Sequence, residues 1–374
     1  MTAKKTLWAL PLFLCAAMWA SAQPVGDWTM FRGNSSNHGA AQGTLTDALE
    51  LRWSFRTEQP ITSSAAIVGG RAFFGSQDGF VYAVDLKSGE KSWSFETEDM
   101  VESPPMVVEG AVVIGSSDSF VYCLDAESGE LRWKFETQGK VMGSAVWSKA
   151  DDGPLRVLFG SYDSRLYCLD FKTGDLVWSY STDNYINGSP AIDDAQIVVG
   201  GCDARVHAVA IKDGSPIADI DAEAYIAATV ALDDGKAFVG NYDNEFLCID
   251  LDEGAVVWRY RNRNFPYFSS AALTDERVIF GGRDRRVHCV DRETGDPIWE
   301  FRTRGKVDSS PVVCGDRLVV GSEDGRLYML DVDDGGEVWS YEIGEGIIST
   351  PAVGQGMVVV GGLDGVLYGF GPKN

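Results

Sequence analysis

The sequence predicts an all-β chain folded as an eight-bladed β-propeller of four-stranded antiparallel blades. Three observations carry that expectation. One unit of about 40 residues recurs eight times, each copy reads as four short strands, and the two chain ends supply complementary pieces of one blade.

The unit is registered on a turn aspartate, as in "GSQDGFVYAVD". It recurs at Asp78, Asp118, Asp163, Asp203, Asp243, Asp284, Asp324 and Asp364, at intervals of 40 residues except for one of 45 and one of 41. Fifteen residues after it stand Trp93, Trp133, Trp178, Ala218, Trp258, Trp299 and Trp339. Four residues after it stand Tyr82, Tyr122, Tyr167, His207, Leu247, His288, Tyr328 and Tyr368. Within a unit the first strand begins at small residues such as Ser309-Ser310-Pro311, and the second is apolar, as in 317–320. The third reads like "RLYMLD", and the fourth carries the tryptophan, as in "EVWSYE". Gly and Asp stand at the joins, where turns need a left-handed backbone or a side chain that bonds its own backbone. No stretch sustains the 3.6-residue period of a helix beyond a turn or two.

The ends close the ring. An eighth tryptophan would fall beyond Asn374, while Trp53, in "LRWSFRT", lies 40 residues before Trp93 with no third strand in front of it. The N-terminal strand around Trp53 is therefore expected to form the outer strand of the last blade, removing the exposed edges. Residues 51–374 form the propeller, and 23–50 are a lead segment expected to rest on the ring.

Residues 1–22 read as a Sec-type export signal: Lys4 and Lys5, an apolar run over 7–20, then Ala20-Ser21-Ala22 as the cleavage site. Leu14 before Cys15 is too large for lipid attachment, so cleavage is expected after Ala22, with a periplasmic or secreted destination. No later segment is apolar for the length of a membrane span. The net charge is −23, and removing Lys4 and Lys5 takes it to about −25. Such an acidic chain is not a general nucleic-acid binder.

The repeat also sorts the residues that look like chemistry. Once per unit, the tryptophan suits the gap between blades better than a cofactor stack. Ala218 marks a blade without that contact. Cys123, Cys168, Cys248 and Cys289 share a slot with Ala83, Ala208, Met329 and Gly369, the behaviour of a small buried hydrophobe, and free thiols are expected. His207 and His288 stand in the tyrosine slot, which favours packing over ligation. No metal-spaced His or Cys pair, nucleophile elbow or phosphate-cradling loop is present.

The units "AVDLKSGEKSWSF", "CLDAESGELRWKF", "CLDFKTGDLVWSY" and "CVDRETGDPIWEF", with the lead "DWTMFRGNSSNHG", resemble the repeat of the pyrroloquinoline-quinone-binding-like propellers. That family holds quinone-dependent dehydrogenases and also non-catalytic proteins such as the outer-membrane-protein assembly factor BamB. The resemblance implies pyrroloquinoline quinone as the one cofactor to consider. A dehydrogenase of this kind would add calcium ligands, a catalytic aspartate and usually adjacent cysteines; there is no Cys-Cys here. On the residues themselves no cofactor, metal or catalytic group is assigned.

Specificity is expected on the face that carries the turns between second and third strands and the connections between blades, where the copies differ most. Residues 257–306 hold eleven Lys or Arg against seven Asp or Glu in an otherwise acidic chain. Arg261, Arg263, Arg283, Arg285, Arg304 and Lys306, beside Tyr267 and Phe268, form the candidate partner-binding patch, since Arg and aromatic side chains are enriched at binding hot spots. The bland reading of such a run is a solvated face. Arg286 shares its slot with Arg165, Arg205 and Arg326 and is set aside. The expectation is an exported, monomeric, non-catalytic scaffold that binds envelope proteins. The alternatives are a quinone-dependent redox protein and a carbohydrate-binding propeller contacting its ligand through Tyr162 and Tyr242.

Overall fold

The computed structural model describes residues 26–149, 153–193 and 196–373; the export signal expected at 1–22 lies outside them. Eight four-stranded antiparallel units surround one axis. They span 66–96, 106–136, 146–181, 191–221, 231–260, 272–302 and 312–342, numbered blades 1 to 7; blade 8 joins 352–372 to Leu49–Arg56. Leu49–Arg56 pairs antiparallel with Val366–Pro372, placing Trp53 opposite Gly369, so the ring closes as the chain ends predict. The second and third strands of each blade are buried throughout, whereas the outer strands alternate, as a sheet with one wet face should.

Neighbouring blades are joined at three radii. Outermost are the tryptophans. Each indole Nε1 donates to a carbonyl of the next blade: Trp53 to Leu86 at 2.7 Å, Trp93 to Ala126 at 3.1 Å, Trp133 to Phe171 at 2.7 Å, with Trp178, Trp258 and Trp299 alike. The rings lie against a turn glycine with positive φ; a Cβ on Gly89 would meet Trp53 at 2.8 Å. Trp339 instead packs edge-on to Phe370, where the chain ends. Ala218 leaves blade 4 without this joint.

At mid-radius the tyrosine of the repeat donates its hydroxyl to the turn aspartate of its own blade, at 2.6–2.9 Å for Tyr82, Tyr122, Tyr167, Tyr328 and Tyr368. The preceding blade presents Phe55, Phe95, Phe135 or Phe301 to four of these rings. Where the slot holds histidine, the preceding blade presents a tyrosine: Tyr180 bonds His207 Nδ1 at 3.2 Å, and Tyr260 bonds His288 Nδ1 at 3.0 Å. Nε2 of each histidine faces the aspartate, Asp203 at 2.9 Å and Asp284 at 3.1 Å. A buried histidine has two nitrogens to satisfy where tyrosine has one hydroxyl, so in blades 4 and 6 the exchange of Tyr for His travels with Phe for Tyr next door; blade 8 departs from this, with Tyr341 before Tyr368.

Innermost is a belt of small hydroxyl residues one repeat apart. Backbone N–H groups donate to the next hydroxyl from Ser144 to Ser189, Ser189 to Thr229, Thr229 to Ser270, Ser270 to Ser310, Ser310 to Thr350 and Thr350 to Ser64. Pro104 has no N–H for this row, and the belt passes there through the hydroxyls of Ser63 and Ser103 to the carbonyls of Ser103 and Gly143.

The lead segment makes a lap of the ring on the side opposite the interblade connections. The carbonyl of Gly26 accepts from Gln355 of blade 8, Trp28 pairs with Ile67 of blade 1, and Thr29 accepts from Val107 of blade 2. Ser35, Ser36, His38 and Gly39 accept in turn from blades 4, 5, 6 and 7, and Ala40–Ala41 adds a parallel strand to Val312–Cys314. Arg32, wholly buried, donates to the carbonyls of Pro311 and Ala271; Asn37 donates to those of Pro190 and Val230. Burial without a carboxylate partner lowers the Arg32 pKa to about 9. This segment closes one end of the central channel.

The six described cysteines are unpaired, and burial pushes the thiols of Cys123, Cys168, Cys248 and Cys289 up to about 12.

Candidate functional site

The open face of the ring, here the upper face, carries the turns that hold the repeat aspartates and the connections between blades. Four large aromatic side chains are exposed among the described residues, and all four lie on this face between blade 3 and blade 6. They are Tyr185, Tyr225, Tyr242 and Phe265, each about half exposed. Tyr185 stacks on Tyr162 with ring centroids 5.1 Å apart. Tyr242 packs on Tyr225 at 6.4 Å and on Phe268 at 4.7 Å. The result is an aromatic arc from blade 3 to the connection between blades 5 and 6. Of its members the sequence reading selected Tyr162, Tyr242 and Phe268; Tyr185, Tyr225 and Phe265 were missed, although each falls in a variable connection.

The cationic patch adjoins this arc. Arg263, Arg283, Arg285 and Lys306 line one cavity of about 400 Å3 above blade 6, with Phe265 at its wall. Arg286 and Arg302 line it too, so the slot that made Arg286 look ordinary does not fix its surroundings. Arg283 is locked: its guanidinium makes a bidentate pair with Asp308, at 3.0 and 2.6 Å, and lies 4.0 Å over the Phe268 ring. Arg286 pairs with Glu300 at 2.8 Å, and Lys306 stands 3.9 Å from Glu323. Arg285 and Arg302 are exposed and have no ion-pair partner among the described residues. Arg261 donates to the carbonyl of Asp243 and lies apart from the cavity, as does Arg304.

Tyr267 is displaced from the expected patch. It is 1 % exposed and packs edge-on to Phe280 at 5.1 Å and to His288 at 5.5 Å. Its place corresponds to Ile61, Val101, Val141, Ile186, Ile226, Val307 and Ile347 in the other connections, all inward-facing. The correspondence is hidden in the sequence because this connection is one residue longer, the origin of the 41-residue interval.

Asp284 sits under the cavity with its side chain 2 % exposed. Desolvation pushes its carboxyl up, but the His288 hydrogen bond, with Arg286 and Arg263, outweighs it and holds the group below the usual range. In five other blades Oδ2 of the aspartate accepts a backbone N–H from the connection, as Asp78 does from Glu58 and Asp324 from Arg304. Around the extra residue no such N–H arrives. Asp284 Oδ2 is buried and accepts no hydrogen bond, and Arg263 and Arg286 approach it only to 3.8 Å.

The central funnel is lined by the hydroxyl belt, by Phe31 of the lead segment and by two acids, Glu102 and Asp308. Among the described residues no Lys or Arg lines it. A tricarboxylate such as pyrroloquinoline quinone finds no countercharge there, and no three of His, Cys, Asp and Glu gather as a metal site among the described residues. The funnel does not fit that cofactor.

The sequence profile of the family described as outer membrane protein assembly factor BamB matches residues 46–260, 203–286 and 283–374. The chain belongs to this family. Among solved structures, the BamB family fold appears in BamB from Moraxella catarrhalis at 21 % identity and a TM-score of 0.73, covering 87 % of this chain and all of that one. The same ring is found in quinohemoprotein alcohol dehydrogenase from Comamonas testosteroni, at 13 % identity and a TM-score of 0.81, covering 93 % of this chain and 81 % of that one. A europium-containing methanol dehydrogenase matches at 15 % identity and a TM-score of 0.77, covering 92 % and 98 %. At these identities the likeness is one of fold. No curated protein matches the sequence.

Proposed function

We propose that this BamB-family propeller is an exported, non-catalytic scaffold of the bacterial envelope that docks a partner protein on its upper face. The observation that carries the reading is the aromatic arc: all four exposed large aromatics share one face between blade 3 and blade 6. Rigid aromatic side chains next to arginines are the residues that dominate protein interfaces. Arg261, Arg263, Arg283, Arg285, Arg304, Lys306 and Phe268 flank the arc as the cationic edge of that surface; Tyr267 supports it from beneath. The reading of 1–22 as an export signal supports a periplasmic or secreted location, among envelope proteins. A cationic edge on an acidic molecule orients an acidic partner before contact.

The test is affinity capture from envelope extract with the native protein and two variants. One carries Tyr185→Ala, Tyr225→Ala and Tyr242→Ala; the other carries Arg283→Glu, Arg285→Glu and Arg304→Glu. A partner lost from the aromatic variant and weakened in the charge variant supports the reading. An unchanged partner set with both variants refutes it.

A further inference from the structure

We propose that the cavity above blade 6 is a binding site for an acidic saccharide, a hydroxylated ring bearing a carboxylate or phosphate. The proposal goes beyond protein docking and does not depend on it, because it is tested on the purified protein alone.

Three features of blade 6 bear on what its cavity would bind. The cavity holds six cations against a single lining acid, Asp284, and the acids that pair with Arg283, Arg286 and Lys306 from outside are Asp308, Glu300 and Glu323. Four acids against six bases leave an excess of two positive charges, carried by the unpaired Arg285 and Arg302. Planar guanidinium groups recognise carboxylate and phosphate oxygens in pairs, which gives the anion its place.

The second feature is the orphaned Asp284 Oδ2, an acceptor with no donor. A ligand that were only an anion would be repelled by it. A ligand that also carries hydroxyl groups can donate to it once Arg263, whose side chain is 51 % exposed, swings aside. An ionised carboxylate accepting from a sugar hydroxyl is a strong, charge-assisted contact. Phe265, half exposed at the cavity wall, offers a flat apolar face to the C–H side of a sugar ring. The volume of about 400 Å3 falls in the range of small-molecule sites.

The third feature is the conformation of Arg285. It has φ of 68° at the tip of the hairpin, where the other blades carry Gly79, Ser119, Ser164, Ala204, Asn244, Gly325 and Gly365, all likewise left-handed. A residue with a Cβ is strained in this position, as at Ser119, Ser164, Ala204 and Asn244, and beyond the backbone hydrogen bonds of the turn the Arg285 side chain has no partner among the described residues. What differs in blade 6 is the long cationic side chain at that tip, which lines the cavity and is free to meet a ligand there.

The test is calorimetric titration of the purified protein with trigalacturonate and, separately, with glucose 6-phosphate. Galactotriose, inorganic phosphate and hexaglutamate serve as comparators. At least one acidic sugar should bind about tenfold or more tightly than inorganic phosphate and hexaglutamate, and galactotriose should not bind. Arg285→Glu with Arg302→Glu should weaken that binding by about tenfold or more, and Phe265→Ala by a few fold. Arg285→Gly should lower affinity while raising the denaturation midpoint, a pair of changes that a merely structural arginine would not give. Failure of both acidic sugars to bind overturns the proposal. So does equal binding of phosphate or hexaglutamate, or undiminished binding by the charge-reversed variant.

Discussion

Tyr260 and His288 should be exchangeable for Phe and Tyr only as a pair. His288 is wholly buried between the Tyr260 hydroxyl, 3.0 Å from Nδ1, and Asp284 Oδ1, 3.1 Å from Nε2. The ionised carboxylate fixes the proton on Nε2, so Nδ1 must accept, and its donor is Tyr260. Tyr260→Phe removes that donor from a site with no water access and costs about 1–3 kcal/mol, the price of an unmet buried polar atom. His288→Tyr alone restores the phenol-to-aspartate bond seen in five other blades but sets a second phenol against the Tyr260 hydroxyl; a loss of about 1–2 kcal/mol follows. The double variant rebuilds the Phe–Tyr pair of blades 1, 2, 3 and 7 and should lie within about 1 kcal/mol of the native protein. Urea denaturation of the four proteins closes the cycle, with a coupling of about 2 kcal/mol expected. A double variant as unstable as the sum of the singles would refute the account of how the blades are matched.

Further outcomes follow from the same structure. Amides of the outer strand Pro216–Asp221 should exchange with solvent faster than those of the other outer strands, and Ala218→Trp should slow them and stabilise the protein by about 1–2 kcal/mol, since the Gly254 turn that would receive the indole is in place. Equal exchange across blades would remove the assigned role of the tryptophan joint. The thiols of Cys123, Cys168, Cys248 and Cys289, with pKa near 12, should resist alkylation of the native protein at pH 8 and react on denaturation. Because the folded state holds those protons more tightly than the unfolded state, these groups stabilise the fold below pH 9 and lose that contribution as pH rises toward 12, which denaturation midpoints between pH 8 and 11 would show. Asn37→Ala, which strips donors from the carbonyls of Pro190 and Val230, should cost about 1–3 kcal/mol and leave the upper face unchanged, as judged by tyrosine fluorescence quenching.

The ring was legible in the sequence because a repeat repeats its errors of interpretation as well as its residues. A histidine seen once in "GGRDRRVHCVD" looks like chemistry, but the same slot holding tyrosine five times identifies it as a packing position. Repetition also placed the closing strand at Trp53 and the free cysteines in their buried slot. What repetition could not supply was the content of positions where the copies differ. Tyr267 and Phe265 lie two residues apart in one connection, and only the inserted residue decides which of them turns inward. The aspartate–tyrosine bonds and the hydroxyl belt, by contrast, were present in the periodic letters, though the covariation of Phe with Tyr across neighbouring blades becomes meaningful only when the rings are seen to touch.

The one-residue insertion between Trp258 and Tyr267 links these observations. It sends a tyrosine into the slot of Val or Ile, and that larger ring packs against His288 in place of an aliphatic side chain. The backbone N–H that the aspartate receives in five other blades is missing here, as it is at Asp243 and Asp364, and Asp284 keeps a buried, unbonded Oδ2 while the cations of three loops gather above it. A buried acceptor left open costs stability, and Arg285 at positive φ adds to that cost on the same hairpin. A buried open acceptor and a bulky residue at a left-handed tip, both unfavourable to folding, meet at one cavity on the face where the exposed aromatics end. Deleting Asn264 should therefore restore the N–H bond to Asp284, raise the stability of blade 6 and abolish acidic-saccharide binding together. If stability falls instead, the insertion belongs to the packing of Tyr267 alone.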